Sequence, residues 1–457
     1  MLLIHEIKLD VNEPETRLKD KIEKMLHHPI LSYEIRRKSL DARKDPFYVY
    51  SVAVTIENEK KYLRKGITLY EKEDLSAEYR NRNQTCIIAG YGPSGIFCAW
   101  RLMEAGYRVL VFERGKRIRE RETDVKRFFH EGILDENSNV QFGEGGAGTF
   151  SDAKLTTRLK NRYIDYILDI LVAHGGKPSI RYDHHAHIGT DEIRKIISSI
   201  TDNLIAKGCE FHFDEPVLDL CLDENRRVRS VITKNGTYPC DHFLMGIGHS
   251  AQDSFEMLKR NDVFMEKKDI AIGFRVEHPQ SFINERQTQN RTEEANEYFL
   301  SHKDTKGVYS FCMCPGGFVV PAATGEEQVV VNGMSPSSRA GRWSNSGMVV
   351  EMPPDGGDAL SMMRLQAEIE RMAWLQGGRG QTAPAQRMTD FVEGRLSAEL
   401  NESSYEPGLI ASPLHFWMPQ DISARLRKAF LLWGKRYRGF LTREATEIAV
   451  ETRTPAP

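Results

Sequence analysis

What the chain lacks narrows the field first. Its seven cysteines are scattered, odd in number and never spaced as CxxC. That excludes a disulfide framework and fits a reducing cytosol. No apolar run approaches the roughly 20 residues that span a bilayer. The opening MLLIHEIKLD alternates like a strand and carries charge too early for a secretory signal. Charge of one sign is not in excess: 63 basic residues face 65 acidic ones, which leaves no bulk attraction to nucleic acid or anionic membrane. There is no internal repeat and no low-complexity tract. What remains is a globular cytoplasmic protein. Its 457 residues, 40% of them hydrophobic, are enough to build two or three domains with cores of their own.

The informative stretch is 85–115, TCIIAGYGPSGIFCAWRLMEAGYRVLVFERG. Thr85 to Ala89 reads as a buried strand, and Gly90, Gly92 and Gly95 follow as GxGxxG. A helical segment and a second strand, Arg108 to Phe112, end on Glu113. Each part has a mechanical role in holding a dinucleotide. Gly90 permits the tight turn, Gly92 lets backbone approach a pyrophosphate, and Gly95 lets helix and strand pack closely. The helix start, with Pro93 and Ser94, offers free N–H groups to phosphate oxygens. Glu113 can accept from both hydroxyls of an adenosine ribose, and Arg114 beside it joins the candidate contacts.

Around this unit the chain divides. Residues 1–80 form a small α+β module: a strand at Leu3 to Leu9, a helix from Glu13 to Leu26, then strands at Leu31 to Ser39 and Phe47 to Ile56, joined by a basic turn at 41–46. Asn139 to Thr149 is a second glycine-rich loop, whose Gly145, Gly146, Gly148 and Thr149 are candidates to cradle phosphate or a ring edge through N–H groups. Helices are expected over Arg158 to Ala173 and Asp191 to Lys207, the latter with Thr190 as N-cap and Gly208 as stop. Strands are expected at Cys209 to Leu222, Val228 to Lys234 and His242 to Gly248. The last should return beside the first βαβ unit, with Val217 near the adenine and Gly248 at the strand end. Residues 271–440 alternate strands and helices as a substrate or cap domain inserted into the cofactor domain (81–270), with 441–457 returning to it. No second GxGxxG set in a βαβ unit appears, so a built-in NAD(P) domain is not expected.

The motif continues after Gly95 through Ala99 and Gly106. Together with QFGEGGAGTFSDAKLTTR (141–158), HIGTDEIRKII (187–197), FLMGIGHSAQD (243–253), CMCPGGFVVPAA (312–323) and VNGMSPSSRAGRWSNSGMVV (331–350), it resembles a bacterial family of uncharacterised FAD-dependent dehydrogenases of the glutathione-reductase-like superfamily. The resemblance implies FAD as cofactor and a fold of class α/β. That fold comprises a Rossmann-like FAD-binding domain, an inserted α+β substrate domain and an N-terminal α+β, ferredoxin-like module. With FAD, the expected activity is hydride transfer between a small-molecule substrate and flavin, and turnover then needs a second redox partner: NAD(P)H as a diffusible electron donor, oxygen or an electron carrier. The resemblance also implies a further strand, a GEGAGYAGG-like turn and a helix against the flavin, and the sequence stops at Pro457 before that segment.

For catalysis the candidates are Lys154, which with Arg158 could place a cation near the flavin, and His249, at a strand end where ligands meet α/β sheets. Arg453 is a candidate to hold an acidic substrate group. The cluster Tyr182-Asp183-His184-His185-Ala186-His187 has no second ligand pair near it and is not read as a metal site. Cys312 and Cys314 read as buried thiols, with a redox role as the sharper alternative. Two other functions stay open: a flavoprotein that modifies RNA, gripping it through the basic turn, and a non-catalytic nucleotide-binding protein.

Overall fold

The computed structural model describes all residues except 42–45, 81, 151–152, 156–160, 184–185, 289–294, 302–306, 355, 438 and 454–457. The chain divides into two units, Met1–Ala77 with Lys154–Ile188, and Glu78–Ala153 with Gly189–Pro457.

In the first unit an antiparallel sheet has the order Ser32–Asp41, Phe47–Thr55, Leu2–Asp10, Ile67–Leu69. Strand Leu2–Asp10 buries Leu2 and Ile4, then Ile7 and Leu9. The parity changes because a bulge between Ile4 and Ile7, with Glu6 at φ 60°, inserts one residue into the alternation. Helix Arg17–Leu26 lays Leu18, Ile22 and Leu26, spaced one turn apart, against this core. A ferredoxin-like unit carries a second helix between its last two strands; here a 3₁₀ turn, Glu59–Tyr62, stands in that place.

The unit is larger than the expected 1–80, because residues 154–188 join it. Their helix, Tyr163–Ala173, is tied by ion pairs Arg36–Asp165 and Lys72–Asp169. The Lys38 N–H donates to Tyr182 O at 2.7 Å, and the Tyr182 hydroxyl donates to Glu15 at 3.1 Å. Polar partners far away in sequence thus capture a segment whose own pattern shows only a helix.

The second unit begins with the expected βαβ. Four parallel strands lie in the order His242–Met245, Thr85–Ala89, Arg108–Phe112, Glu210–His212. The strand at 242 returns beside the first strand, as expected. The expected single strand Cys209 to Leu222 is instead two. Pro216 lacks an N–H and cannot extend a ladder, so the chain leaves the parallel sheet after His212. It starts again at Asp219–Leu222 in a three-stranded antiparallel sheet with Val228–Thr233 and Gly236–Pro239. Helix Thr190–Ala206 is capped by Gly189, at φ 93°, not by Thr190. The Thr190 hydroxyl donates instead to Ser335 O at 3.1 Å.

The C-terminal part is a six-stranded sheet ordered Val308–Cys314, Trp343–Met352, Ile270–Pro279, Thr446–Arg453, Ala383–Arg387, Leu409–Ala411. Phe274, Phe391, Phe430 and Trp433 anchor its core, into which helices Ser361–Gln376 and Gln420–Arg436 send buried side chains. Strand Thr446–Arg453 corrects the expectation that 441–457 returns to the cofactor domain. It pairs on both sides within this sheet, so its backbone groups are satisfied there, and buried Ile448, Ala449 and Val450 belong to this core. Among the described residues no strand after Met245 rejoins the parallel sheet. No described helix is long and apolar enough to cross a membrane.

Candidate cofactor site

The turn after Thr85–Ala89 is built by close approach. A Cβ on Gly90, whose φ is 92°, would stand 2.5 Å from Gly246 O, and one on Gly95 would stand 2.1 Å from Gly90 O. Neither position accepts a side chain, so strand, turn and helix meet at backbone distance. Helix Pro93–Glu104 starts at Gly92 with no side chain capping it. Its first-turn N–H groups and positive dipole end therefore face the turn, an arrangement suited to phosphate.

Glu113 is buried and does more than the sequence indicates. Its Oε2 accepts from the Tyr91 N–H at 2.7 Å. Its Oε1 accepts from the Gly115 N–H at 2.9 Å and the Gly143 N–H at 3.0 Å. One carboxylate joins the first glycine turn, the end of the second strand and the second glycine loop. A carboxylate has about four lone-pair sites, so one ribose hydroxyl finds an acceptor here, not two.

The second loop is held from below by Arg121, which sequence reasoning missed. Its fully buried guanidinium donates to Asn139 O, Glu144 O, Val140 O and Gly146 O, at 2.7 to 3.0 Å. Burial pushes its pKa down to about 9, against the attraction of Glu113 and Glu144. No signal in IRERETDVKRFF separates it from its basic neighbours, since its partners are backbone carbonyls about one to two dozen residues on.

These elements enclose a cleft of about 380 Å³, within the range of cofactor sites. Gly90, Gly92, Pro93 and Ser94 form one wall, with Glu113 and Arg114 beside them. Gly146, Gly148, Val217, Gly248 and His249 complete the expected set. Gln141, Phe142, Met245 and Ile247 line it as well. Arg114 forks onto Asp253 at 2.7 Å and lies over the Phe142 ring at 4.6 Å.

Three expected contacts do not face the cleft. Gly95 acts through packing alone. Gly145 and Thr149 shape the loop from behind: the Thr149 hydroxyl donates to Glu144 O at 2.9 Å, and a Cβ on Gly145 would meet that hydroxyl at 2.1 Å. Lys154 does not belong to this unit; it lies in the first one, bridged to His187 along the backbone. It is not among the residues that line the cleft. Asp152, Arg158, His184, His185 and most of the basic turn fall outside the described residues. Among the described residues no cluster of His, Cys, Asp or Glu could hold a metal. The two thiols sit in the other sheet: a bulge and a φ of 44° at Cys312 break the strand alternation, and Cys314 is buried against Arg275.

Residues 269–454 match the family described as FAD-dependent protein, C-terminal domain-like, and residues 1–55 match a domain of unknown function. An uncharacterised protein of Clostridium beijerinckii is 36% identical over 478 aligned positions, covering 99% of this chain and 90% of that one. The chain belongs to the family of that clostridial protein. Solved structures with partial similarity include glycine oxidase from Bacillus cereus, 13% identical over 63% of this chain and 78% of that one, at a TM-score of 0.27. They also include CmlS, a flavin-dependent halogenase, 14% identical over 66% of this chain and 46% of that one, at 0.31. TM-scores this low carry no weight for fold or function.

The family match and the cleft agree on the cofactor: FAD. The glycines that no Cβ could occupy, the uncapped helix start and the carboxylate at the end of the second strand suit its AMP and pyrophosphate half.

Proposed function

We propose that the protein is a cytoplasmic FAD-dependent oxidoreductase acting on a small-molecule substrate, with NAD(P)H as diffusible electron donor. The observation that supports this reading is that residues of GxGxxG, Glu113 and the second glycine loop line one cleft. Bound FAD supplies hydride transfer at the flavin ring. The protein's own residues bind, orient and manage protons. The first turn of helix Pro93–Glu104 takes the pyrophosphate, Glu113 takes a ribose hydroxyl, and Val217 borders the cleft.

His249, half-buried, lines the cleft beyond Gly248. Burial, then repulsion by Arg453, pushes its pKa down to about 4. The imidazole is neutral at pH 7 and can accept a proton from a substrate hydroxyl or amine.

The test is direct. Purified protein should be yellow and release FAD on denaturation, and NADH or NADPH should bleach its visible absorbance without oxygen. Colourless protein that FAD cannot reconstitute would overturn the assignment.

A further inference from the structure

The cofactor cleft and a second, much smaller cavity share two neighbouring residues of their walls, His249 and Ser250. The smaller space measures about 20 Å³. A cavity needs roughly 10–15 Å³ to admit one water, and that water needs about two to four polar partners. Size therefore limits the occupant to a single water. The wall is polar enough to hold it: besides Ser250 it carries Gln141, Glu370, Thr452 and Arg453.

Glu370, on helix Ser361–Gln376, has hydrogen-bonding capacity left over. It is only 4% exposed. Its Oε1 accepts from Thr452 Oγ1 at 2.5 Å and Gln366 Nε2 at 2.8 Å. Its Oε2 has no hydrogen-bond partner among the described residues. A carboxyl oxygen at this depth calls for a partner, and the cavity beside it is the space that supplies one.

On the near side, Ser250 Oγ lies 3.1 Å from His249 Nδ1. A hydroxyl donates and accepts at once, so it links the ring to the group behind it. The other ring nitrogen, Nε2, has no partner among the described residues, which leaves it for a ligand in the cleft. The two spaces need no opening between them, because an imidazole takes a proton on one nitrogen and releases one from the other.

We propose that one water in the small cavity joins Ser250 Oγ to Glu370 Oε2, and that Glu370 receives through it the proton that His249 takes from a substrate in the cofactor cleft. This deepens the flavoenzyme reading and rests on it. The balance is one proton and no electrons. The substrate's O–H or N–H bond breaks as Nε2–H forms. Nδ1 gives a proton to Ser250 Oγ, Ser250 gives its own to the water, and the water gives one to Oε2. Ser250 and the water end as they began.

The titratable groups on the cavity wall are His249, Glu370 and Arg453, and Arg453 is paired with Glu451 at 2.9 Å. Burial, then Arg453, lowers the pKa of His249 to about 4. Burial raises that of Glu370 above the ordinary 4.5, against its hydrogen bonds and Arg453. A proton therefore rests on Glu370 in preference to His249.

Three measurements on the full-length protein test the path. A crystal structure should show one ordered water within hydrogen-bond distance of Ser250 Oγ and Glu370 Oε2; a dry cavity overturns the proposal. With histidines labelled for NMR, the His249 signal is the one lost in His249→Gln. It should shift in a step centred above pH 4.5, the titration of Glu370. That step should vanish in Glu370→Gln and persist in Glu370→Asp. No step in the parent, or one unchanged in Glu370→Gln, overturns the coupling. The infrared carboxyl band lost in Glu370→Gln should exchange in heavy water more slowly in Ser250→Val than in Ser250→Thr, which has the same branched shape and keeps the hydroxyl; equal rates overturn the path. Reading all three with and without FAD separates the two readings. Coupling in protein that never takes up FAD keeps the relay and removes the flavoenzyme, and FAD uptake with His249 uncoupled does the reverse.

Discussion

Glu113→Gln separates two roles for this residue, ribose ligand and structural tie. The substitution keeps size and one carbonyl oxygen. The best placement turns that oxygen to the Gly115 and Gly143 N–H groups and leaves the new amide facing the Tyr91 N–H, donor against donor. One buried N–H loses its acceptor, at about 1–3 kcal/mol, and two charge-assisted bonds become neutral ones, at about 1 kcal/mol each. The sum is about 3–5 kcal/mol, and it falls on the fold before FAD is present. At about 2 °C per kcal/mol for a unit of this size, the FAD-free variant should melt roughly 6–10 °C below the FAD-free parent by scanning calorimetry. Flavin occupancy after reconstitution should fall as well, because the second glycine loop is no longer tied to the first. An FAD-free variant that melts within about 1 °C of the parent would refute the argument, and lost FAD binding alone would then make Glu113 a ribose ligand only.

Arg121→Met strips four carbonyls of their donor. At roughly 1 kcal/mol or more for each, limited proteolysis should open the chain within 139–146 in the variant, and protection equal to the parent would contradict the role given to Arg121. Gly95→Ala drives a Cβ to 2.1 Å from Gly90 O, an overpacking worth about 1–3 kcal/mol. FAD affinity, read by flavin fluorescence, should drop about tenfold, and unchanged affinity would mean the helix can move away freely. Glu447 is fully buried with both carboxyl oxygens unpartnered, and burial raises its pKa well above the ordinary value. Its folded state holds a proton that the unfolded chain releases above about pH 4.5, so its contribution is present at low pH and lost as pH rises. Glu447→Gln should therefore gain stability over the parent increasingly from pH 5 to pH 8 in denaturant titrations; a pH-independent difference would show that Glu447 is not held neutral. Wild-type His249, with its lowered pKa, should cost stability as pH falls from about 6.5 toward 4, because the unfolded chain takes up the proton first. His249→Gln should flatten that limb, and an unchanged limb would place the titration elsewhere.

The βαβ unit was legible because its signals are local. Apolar runs bounded by glycines mark the strands, and GxGxxG marks the places where Gly90 and Gly95 tolerate no Cβ. The return of 242–245 beside 85–89 was expected only from the way flavoproteins complete an FAD domain, since nothing in the strand's own residues names its partner. Arg121 was not, since nothing in a basic helix distinguishes the one arginine that turns inward onto four distant carbonyls. Gly145 and Thr149 looked like ligand contacts because glycine-rich loops bind phosphate, yet only Gly146 and Gly148 of that loop's candidates face the cleft. Lys154 followed the loop in sequence but belongs to the other unit.

By itself the sequence determined the cofactor turn, the acid at the end of its second strand and the periodicity of the elements, each a property of neighbouring residues. Only the tertiary structure decided where 154–188 and 446–453 belong. Segment 154–188 is captured by ion pairs with residues 97 and 129 positions away, and strand 446–453 by ladders on both its sides within the six-stranded sheet. A strand's own residues state that it is a strand; which edge completes its hydrogen bonds is set by the rest of the fold. That choice also brought Arg453 to His249 and Glu370.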